Sequence, residues 1–323
     1  DNVMRLGGER LPADMLALSS ETTIHDFFRS QGNHFESLER AAENLAEEQP
    51  CPSDEMQMML KARLRDRHDI SVVTLPVEEM KESLRIYDAE AASLQLSEAL
   101  DFPNRTFQMA HVLCFVEFAD ILADITSNSS LKTKRSIDRC HIELANYFAA
   151  ALLMPYDRFL DVAEQTRYDI NRLVSAFSVS YEQVCQRLTT LHRDTRRGVP
   201  FFFLRVDRAG NVTKRFNATS FTIAEHGGSC PVWNLHTTFR TPGVIQPQCV
   251  ELPDGERDVR SCGDGDVNQR ADDAREMLLD VLLDGASTEI AARESEDGDG
   301  QLERSSSLRA KSWLSEWTSL ARE

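Results

Sequence analysis

Two potential metal ligands, His111 and Glu143, lie in separate apolar segments that have helical periodicity. In a zinc metallopeptidase, one helix carries His-Glu-x-x-His, which supplies two ligands and a general base, and a second helix supplies a carboxylate. His111 fits the first ligand and Glu143 the last, but Val112 and Phe115 replace the base and the second histidine. Zinc hydrolysis needs three protein ligands and a base. The sequence therefore favours a core histidine that hydrogen-bonds a carboxylate such as Glu117 or Glu143.

A second set of residues combines cations with aromatic rings between positions 167 and 216. Arginine and lysine bind phosphates and aromatic rings stack on purines, so this chemistry suits a small ligand that carries a nucleotide. The alternative is a strand buried on both faces for the three consecutive phenylalanines, with solvated arginines beside it. The set comprises Arg167, Tyr168, Arg196, Arg197, Arg205, Arg208, Lys214 and Arg215, interleaved with Phe201, Phe202, Phe203 and Phe216.

The seven cysteines are scattered, and none forms a Cys-x-x-Cys pair. An odd, dispersed set favours the reducing cytoplasm over a secreted disulfide framework. Cys230 follows a Gly-Gly turn, where a thiolate could hold a metal or an iron–sulfur cluster. Because no second cysteine lies at the required spacing, a buried cysteine in a tight turn is the favoured interpretation.

Hydrophobic periodicity predicts an α+β protein, mostly helical and with a smaller β-rich C-terminal part. Helices are predicted over 21–29, 36–48, 54–67, 107–123, 142–153, 156–164, 170–175 and 181–191. The last two flank 177–180, which resembles the turn of a helix-turn-helix. Strands are predicted at 70–73, 85–88 and 93–97, as a hairpin at 201–207 and 212–216, and at 221–223, 232–236 and 248–252.

The acidic charge is concentrated near the C-terminus. Of the formal net charge of −17, −10 belongs to residues 251–323. Two helices are predicted within this segment, at 274–283 and 308–320.

The overall charge argues against DNA binding by this chain alone. The longest apolar run, 147–154, is far shorter than a membrane span. The first residue is not methionine, so we expect a fragment or a processed chain.

Several strings taken together resemble the short-chain fatty acyl-CoA regulator family of bacterial transcription factors. The resemblance covers roughly 55–255 and is closest to actinobacterial regulators of propionate (methylcitrate cycle) and glyoxylate metabolism. The strings that carry it lie at 105–111 (RTFQMAH), 143–155, 167–169 (RYD), 177–191, 198–212 and 228–234.

The resemblance implies an XRE-type helix-turn-helix domain, then a domain similar to ImmA/IrrE metallopeptidases, then a family-specific domain. Here the DNA-binding domain is missing, so the chain is expected to be the effector half. With the degenerate motif, the peptidase-like fold would serve as a sensor and not as an enzyme. The expected effector is coenzyme A or a short-chain acyl-CoA. A cytoplasmic homodimer that reaches DNA only through the absent domain is also expected.

The expected organisation has four parts: a helical linker or dimerisation segment (1–54), a degenerate metallopeptidase-like domain (55–195), a β-rich domain (196–255) and the acidic tail (256–323).

The other interpretations left open are a zinc metallopeptidase acting on a partner protein and an assembly module. The expected acyl-CoA site has Tyr87, His111 and Tyr168 near the acyl or adenine end, and Arg167, Arg197, Arg205 and Lys214 on phosphates. Some family members end in a cysteine cluster suited to a [4Fe–4S] centre; here only Cys230, Cys249 and Cys262 could contribute.

Overall fold

The computed structural model describes residues 13–80, 83–127, 129–199, 201–206, 212–217, 277–283 and 289–290. These residues form helices and two sheets, which confirms the predicted α+β class. The helices are α1 (Ala13–Ser30), α2 (Glu36–Glu48), α3 (Met56–His68), α4 (Phe102–Glu117), α5 (Ala119–Ser127), α6 (Lys134–Leu153), α7 (Tyr156–Gln165), α8 (Ile170–Phe177) and α9 (Tyr181–Leu188). Within the described residues, no helix is long and apolar enough to cross a membrane.

Helix α6 forms the centre of the core. A capping box between Thr133 and Ser136 begins the helix, and Thr133 thereby satisfies a backbone amide that would otherwise have no partner. From Tyr147 to Leu153 the helix is apolar around its whole circumference and buried. Small side chains at Ala149, Ala150 and Ala151 suit the close approach of its neighbours, which include α2 and α4. Part of the segment expected as a linker, residues 36–48, therefore packs directly on the core.

A buried ion pair connects α2 with α9 in this core. Both oxygens of Glu39 accept hydrogen bonds from Arg187, at 2.5 and 2.8 Å. The hydroxyl of Tyr147 donates to Glu39 (2.6 Å), and Arg187 Nε donates to the carbonyl of Met154 (3.0 Å). Both charged side chains have no exposed area. The pair and its hydrogen bonds therefore connect α2, α6 and α9 at a position that solvent does not reach.

The smaller sheet contains three strands, as predicted: β1 (Ser71–Leu75), β2 (Arg85–Asp88) and β3 (Ser93–Ser97). The strand order is β1-β3-β2, with β1 parallel and β2 antiparallel to β3. Leu94 and Leu96 of the central strand are fully buried. Strand β2 lies at one edge, and residues along it alternate between the two faces of the sheet.

The second sheet confirms the predicted hairpin and corrects one helix prediction. β4 (Phe201–Val206) pairs antiparallel with β5 (Val212–Asn217). Residues 274–283 were expected to be helical, but Met277–Leu283 is strand β6, which pairs parallel with β4 and antiparallel with β7 (Glu289–Ile290). A short apolar run fits a buried strand as well as a helix, and here the backbone hydrogen bonds of β4 favour the strand.

One predicted helix, 107–123, is in fact two helices. Phe118 separates α4 from α5, with φ −126° and ψ 23°, and its ring packs 4.7 Å from that of Phe148. The turn at 177–180 does join two helices in contact, α8 and α9. However, Val184, Cys185 and Leu188 of α9 are completely buried. Helix α9 therefore belongs to the core and has no face free to enter a DNA groove.

Candidate functional site

The predicted histidine on α4 contacts an arginine, and not a carboxylate. Arg85 Nη1 donates to His111 Nδ1 at 2.5 Å and to Gln108 Oε1 at 2.8 Å. Gln108 and His111 lie three residues apart and so share one face of α4. Arg85 reaches this face from β2. We call Arg85, Gln108 and His111 the Arg85 cluster.

His111 is held in its neutral form. Its side chain is almost fully buried, with 2% of its surface exposed. Burial, together with the charge of Arg85, lowers the pKa of His111 to about 3, although a hydrogen bond to the backbone of Ile142 acts in the opposite direction. A guanidinium only donates hydrogen bonds, so Nδ1 of His111 must be the acceptor and the ring proton lies on Nε2.

The expectation that a carboxylate would hold His111 is wrong. Glu117 accepts hydrogen bonds from Arg63 (2.8 and 2.7 Å) and pairs with His68. Glu143 pairs with Arg139 at 2.9 Å. Both carboxylates are thus engaged by other cations, and the cation Arg85 takes the place expected for a carboxylate.

The residues present do not fit a zinc site. Nδ1 of His111 is already engaged by Arg85, and the aromatic ring of Phe115, at the position of the second ligand, lies 5.2 Å from the imidazole. Among the residues that the structure describes, no group of three or more His, Cys, Asp or Glu side chains could hold a metal ion. The described residues around His111 therefore lack the ligand set that metal-assisted hydrolysis requires.

Tyr87, the second residue expected beside the acyl group, belongs to the same strand as Arg85. Residues two apart on a strand share a face, so Tyr87 lies on the side of β2 from which Arg85 reaches α4. It is partly exposed, with 38% of its surface accessible. The structure therefore brings Tyr87 and His111 to neighbouring elements, with Arg85 between them.

Tyr168 and Arg167 lie elsewhere, in the turn between α7 and α8. Both residues have positive φ, 57° and 54°. The ring of Tyr168 is buried, its hydroxyl accepts a hydrogen bond from the amide of Val199 (3.2 Å), and it packs 5.4 Å from the ring of Phe201 at the start of β4. Arg167 is exposed beside it. Tyr168 thus positions the start of the hairpin and has little surface left for a ligand.

Arg205 and Lys214 are brought together by the hairpin. They are directly opposite each other in the β4–β5 register, and both contact the carboxylate of Glu182 on α9, which lies 3.4 Å from Arg205. We call Arg205 and Lys214 the hairpin cations. At about 3.3 Å per residue, Arg205 lies about 13 Å along β4 from Phe201.

The remaining predicted residues do not join either group. Arg197 is exposed and pairs with Asp194, three residues earlier. Cys230, Cys249 and Cys262 lie outside the described residues, as do the strands expected at 221–223, 232–236 and 248–252 and the helix expected at 308–320.

Family models match the two parts of the chain in sequence order. Residues 65–189 match the IrrE N-terminal-like domain, and residues 190–282 match the C-terminal domain of the short-chain fatty acyl coenzyme A regulator. A solved structure of a Mycobacterium tuberculosis transcriptional regulator superposes with a TM-score of 0.69 at 37% identity, covering 74% of this chain and 71% of that one. The chain belongs to the short-chain fatty acyl-CoA regulator family.

The curated relatives of this chain are regulators by name. The HTH-type transcriptional regulator RamB of M. tuberculosis is 38% identical over 232 residues, 72% of this chain and 49% of that protein. The propionyl-CoA carboxylase regulator of Cereibacter sphaeroides is 38% identical over 234 residues, with the same shares. The chain thus spans about half the length of the curated relatives it matches. The predicted domain boundaries at 54, 195 and 255 stay predictions.

Arg85, Gln108 and Glu182 were not predicted as site residues from the sequence. Gln108 had a usable signal, because it precedes His111 by three residues on a helix. Arg85 had a weaker one, its alternation with Tyr87 on a short strand. The contact between β2 and α4 depends on tertiary packing, which no local pattern encodes.

Proposed function

We propose that this chain is the ligand-sensing part of a bacterial transcriptional regulator of short-chain fatty acid metabolism, and that it binds coenzyme A or a short-chain acyl-CoA. The observation that carries the proposal is the Arg85 cluster. Where a peptidase would hold a metal and a general base, this chain has a cation and a neutral imidazole. A cation and a neutral imidazole suit an anionic or polar ligand, and they lack the metal and the base with which a peptidase activates water.

Two further features support a CoA thioester as the ligand. The hairpin cations, Arg205 and Lys214, lie directly opposite each other on β4 and β5, and two neighbouring cations suit phosphates. The family name and the name of the C. sphaeroides relative refer to acyl coenzyme A regulation and to propionyl-CoA carboxylase. Tyr87 and His111 are proposed for the acyl end, and Arg205 and Lys214 for phosphates. Arg167, Tyr168 and Arg197 remain weaker candidates.

In the complete regulator, the ligand would act by preferring one of two arrangements of the sensor and the DNA-binding domain. A ligand shifts such an equilibrium only by its difference in affinity for the two states. The proposal includes a cytoplasmic homodimer that contacts DNA through its helix-turn-helix domain. Light scattering of the chain with and without propionyl-CoA tests the dimer.

A separate prediction is that Cys230, Cys249 and Cys262 contribute ligands to an iron–sulfur cluster. An absorption spectrum of anaerobically purified protein tests it, since a bound cluster gives a brown sample with charge-transfer bands.

Isothermal titration of the chain with CoA, acetyl-CoA and propionyl-CoA tests the proposed function. We expect saturable binding of at least one of them. We also expect affinity about tenfold lower for Lys214→Gln, since a charge-assisted contact is worth about 1.5 kcal/mol or more. Arg172→Gln is the matched control, because Arg172 is an exposed cation on nearby α8. Absence of binding by all three ligands would overturn the proposal.

A further inference from the structure

Arg85 differs in its partners from three other arginines that pack against the core. Arg63 donates to Glu117, Arg187 to Glu39 and Arg193 to Glu43. Arg85 contacts Gln108 and His111, both of which are uncharged. Among the residues described, no carboxylate lies within ion-pair distance of Arg85. A partly buried cation is therefore left without a counter-charge.

Its hydrogen-bonding capacity is also largely unused. A guanidinium has five N–H donors in a planar fork, and both contacts of Arg85 are made by Nη1. In the described part of the chain, Nε and Nη2 meet no acceptor. Arginine forks bind carboxylates and phosphates through two parallel N–H groups, and Nε with Nη2 form one such edge.

The position of Arg85 makes the Nε–Nη2 side of its guanidinium accessible to a ligand. Arg85 begins β2, an edge strand of the three-stranded sheet, and Tyr87 on the same face is partly exposed. The two acceptors on α4 hold Nη1 from one side. Gln108 and His111 therefore orient the guanidinium without neutralising it, which is what an anion site needs.

We propose that Arg85 binds an oxyanion of the sensed ligand, with Gln108 and His111 as positioning residues. The inference rests on the proposed function, because it assigns the oxyanion to the acyl-CoA. Two parts of such a ligand carry oxyanions: the phosphates of coenzyme A, and a free carboxylate on the acyl chain. Both would receive the same two N–H groups of Arg85.

Titrations with acetyl-CoA and malonyl-CoA distinguish these sources, because the two thioesters differ by one carboxylate. If a phosphate is the partner, Arg85→Gln weakens both ligands about ten- to a hundredfold. If an acyl carboxylate is the partner, only malonyl-CoA weakens. Arg135→Gln, which removes an exposed cation of α6, is the control and leaves both affinities unchanged.

A second variant protects the test against misfolding of Arg85→Gln. Gln108→Glu retains the arginine and places a carboxylate on it, so the internal pair competes with the ligand. We expect a similar loss of affinity, with a melting temperature no lower than that of the wild type. A purely structural arginine would give the higher melting temperature without the loss of affinity.

The outcomes separate the inference from the function on which it rests. Binding by the wild type with unchanged affinity in both variants overturns the role of Arg85 and leaves the proposed function standing. If the wild type binds none of CoA, acetyl-CoA, propionyl-CoA and malonyl-CoA, both the role of Arg85 and the proposed function are overturned.

Discussion

Two arginines of this protein reach helices of the same core and meet opposite environments. Arg187 on α9 is completely buried and forms two hydrogen bonds with Glu39, which is also completely buried. Arg85 on β2 meets a neutral imidazole and a neutral amide. The first cation is compensated inside the protein and the second is not.

The difference distinguishes a structural cation from one available to a ligand. A buried charge is tolerated when hydrogen-bonded groups of opposite charge surround it. Glu39 supplies that charge for Arg187, and the attraction of Glu39 raises the pKa of Arg187 despite burial. Burial alone lowers the pKa of Arg85. An external anion would relieve the cost at Arg85, whereas none is needed at Arg187.

The largest expected effect is the loss of one partner of the compensated pair. Glu39→Gln leaves Arg187 buried without its counter-charge, and we expect the free energy of unfolding to fall by about 3–5 kcal/mol. Urea denaturation measures this as a lower midpoint at unchanged slope. The double variant Glu39→Leu with Arg187→Met is the control, since it removes both charges and is expected to be more stable than Glu39→Gln. Equal destabilisation in both would show that the charge imbalance is not the cause.

The next effect is a pH dependence that originates in the uncompensated cluster. The pKa of His111 falls from 6.5 to about 3 on folding, so below pH 6.5 the unfolded chain binds a proton that the folded chain does not. Stability is therefore lost as pH falls, by about 1.4 kcal/mol per unit. The unfolded histidine is only half protonated at pH 6.5, so between pH 6.5 and 5 the wild type should lose about 1.6 kcal/mol more than His111→Gln.

Urea midpoints at pH 7.5, 6.5, 5.5 and 5 measure this difference. Every other titratable group is common to the wild type and His111→Gln, so the difference between the two curves reports on His111. A wild-type curve parallel to that of His111→Gln would mean that His111 is not held neutral by Arg85 and burial.

Sequence periodicity predicted the elements that bear these two clusters better than the clusters themselves. Helix α2 was predicted as 36–48 and runs from Glu36 to Glu48, because a strongly amphipathic pattern with an apolar stripe determines it locally. The strand around Arg85 was likewise predicted. The partner of His111 was not, since Arg85 reaches it across 26 residues of chain.

The errors share a physical cause, which is that tertiary partners decide between locally similar alternatives. Residues 277–283 could have formed a helix or a strand, and the strand forms where β4 supplies backbone partners. Glu117 and Glu143 were expected near His111, but each carboxylate is taken by an arginine on another turn or helix. The spacing of residues along the chain does not show which cation each carboxylate will pair with in the folded protein.

A smaller effect is expected when the compensated pair keeps both charges and loses only an uncharged neighbour. Tyr147→Phe removes the hydroxyl that donates to Glu39 at 2.6 Å and accepts from the amide of Phe35 at 3.2 Å. Because Arg187 still satisfies both carboxylate oxygens, we expect a loss of about 1–2 kcal/mol in the free energy of unfolding, well below that of Glu39→Gln.

The smallest expected effect comes from an ion pair in contact with solvent, and it tests whether burial, and not pairing itself, makes the Glu39–Arg187 pair important. Arg40 and Glu36 pair at 2.9 Å on the same helix as Glu39, but Arg40 is 70% exposed. Water screens such a pair, so Arg40→Gln should change the free energy of unfolding by about 0.5 kcal/mol or less. The same urea titration measures it, with Glu39→Gln alongside. If Arg40→Gln cost as much as Glu39→Gln, the importance of the buried pair could not be attributed to its removal from water, and the contrast drawn with Arg85 would lose its basis.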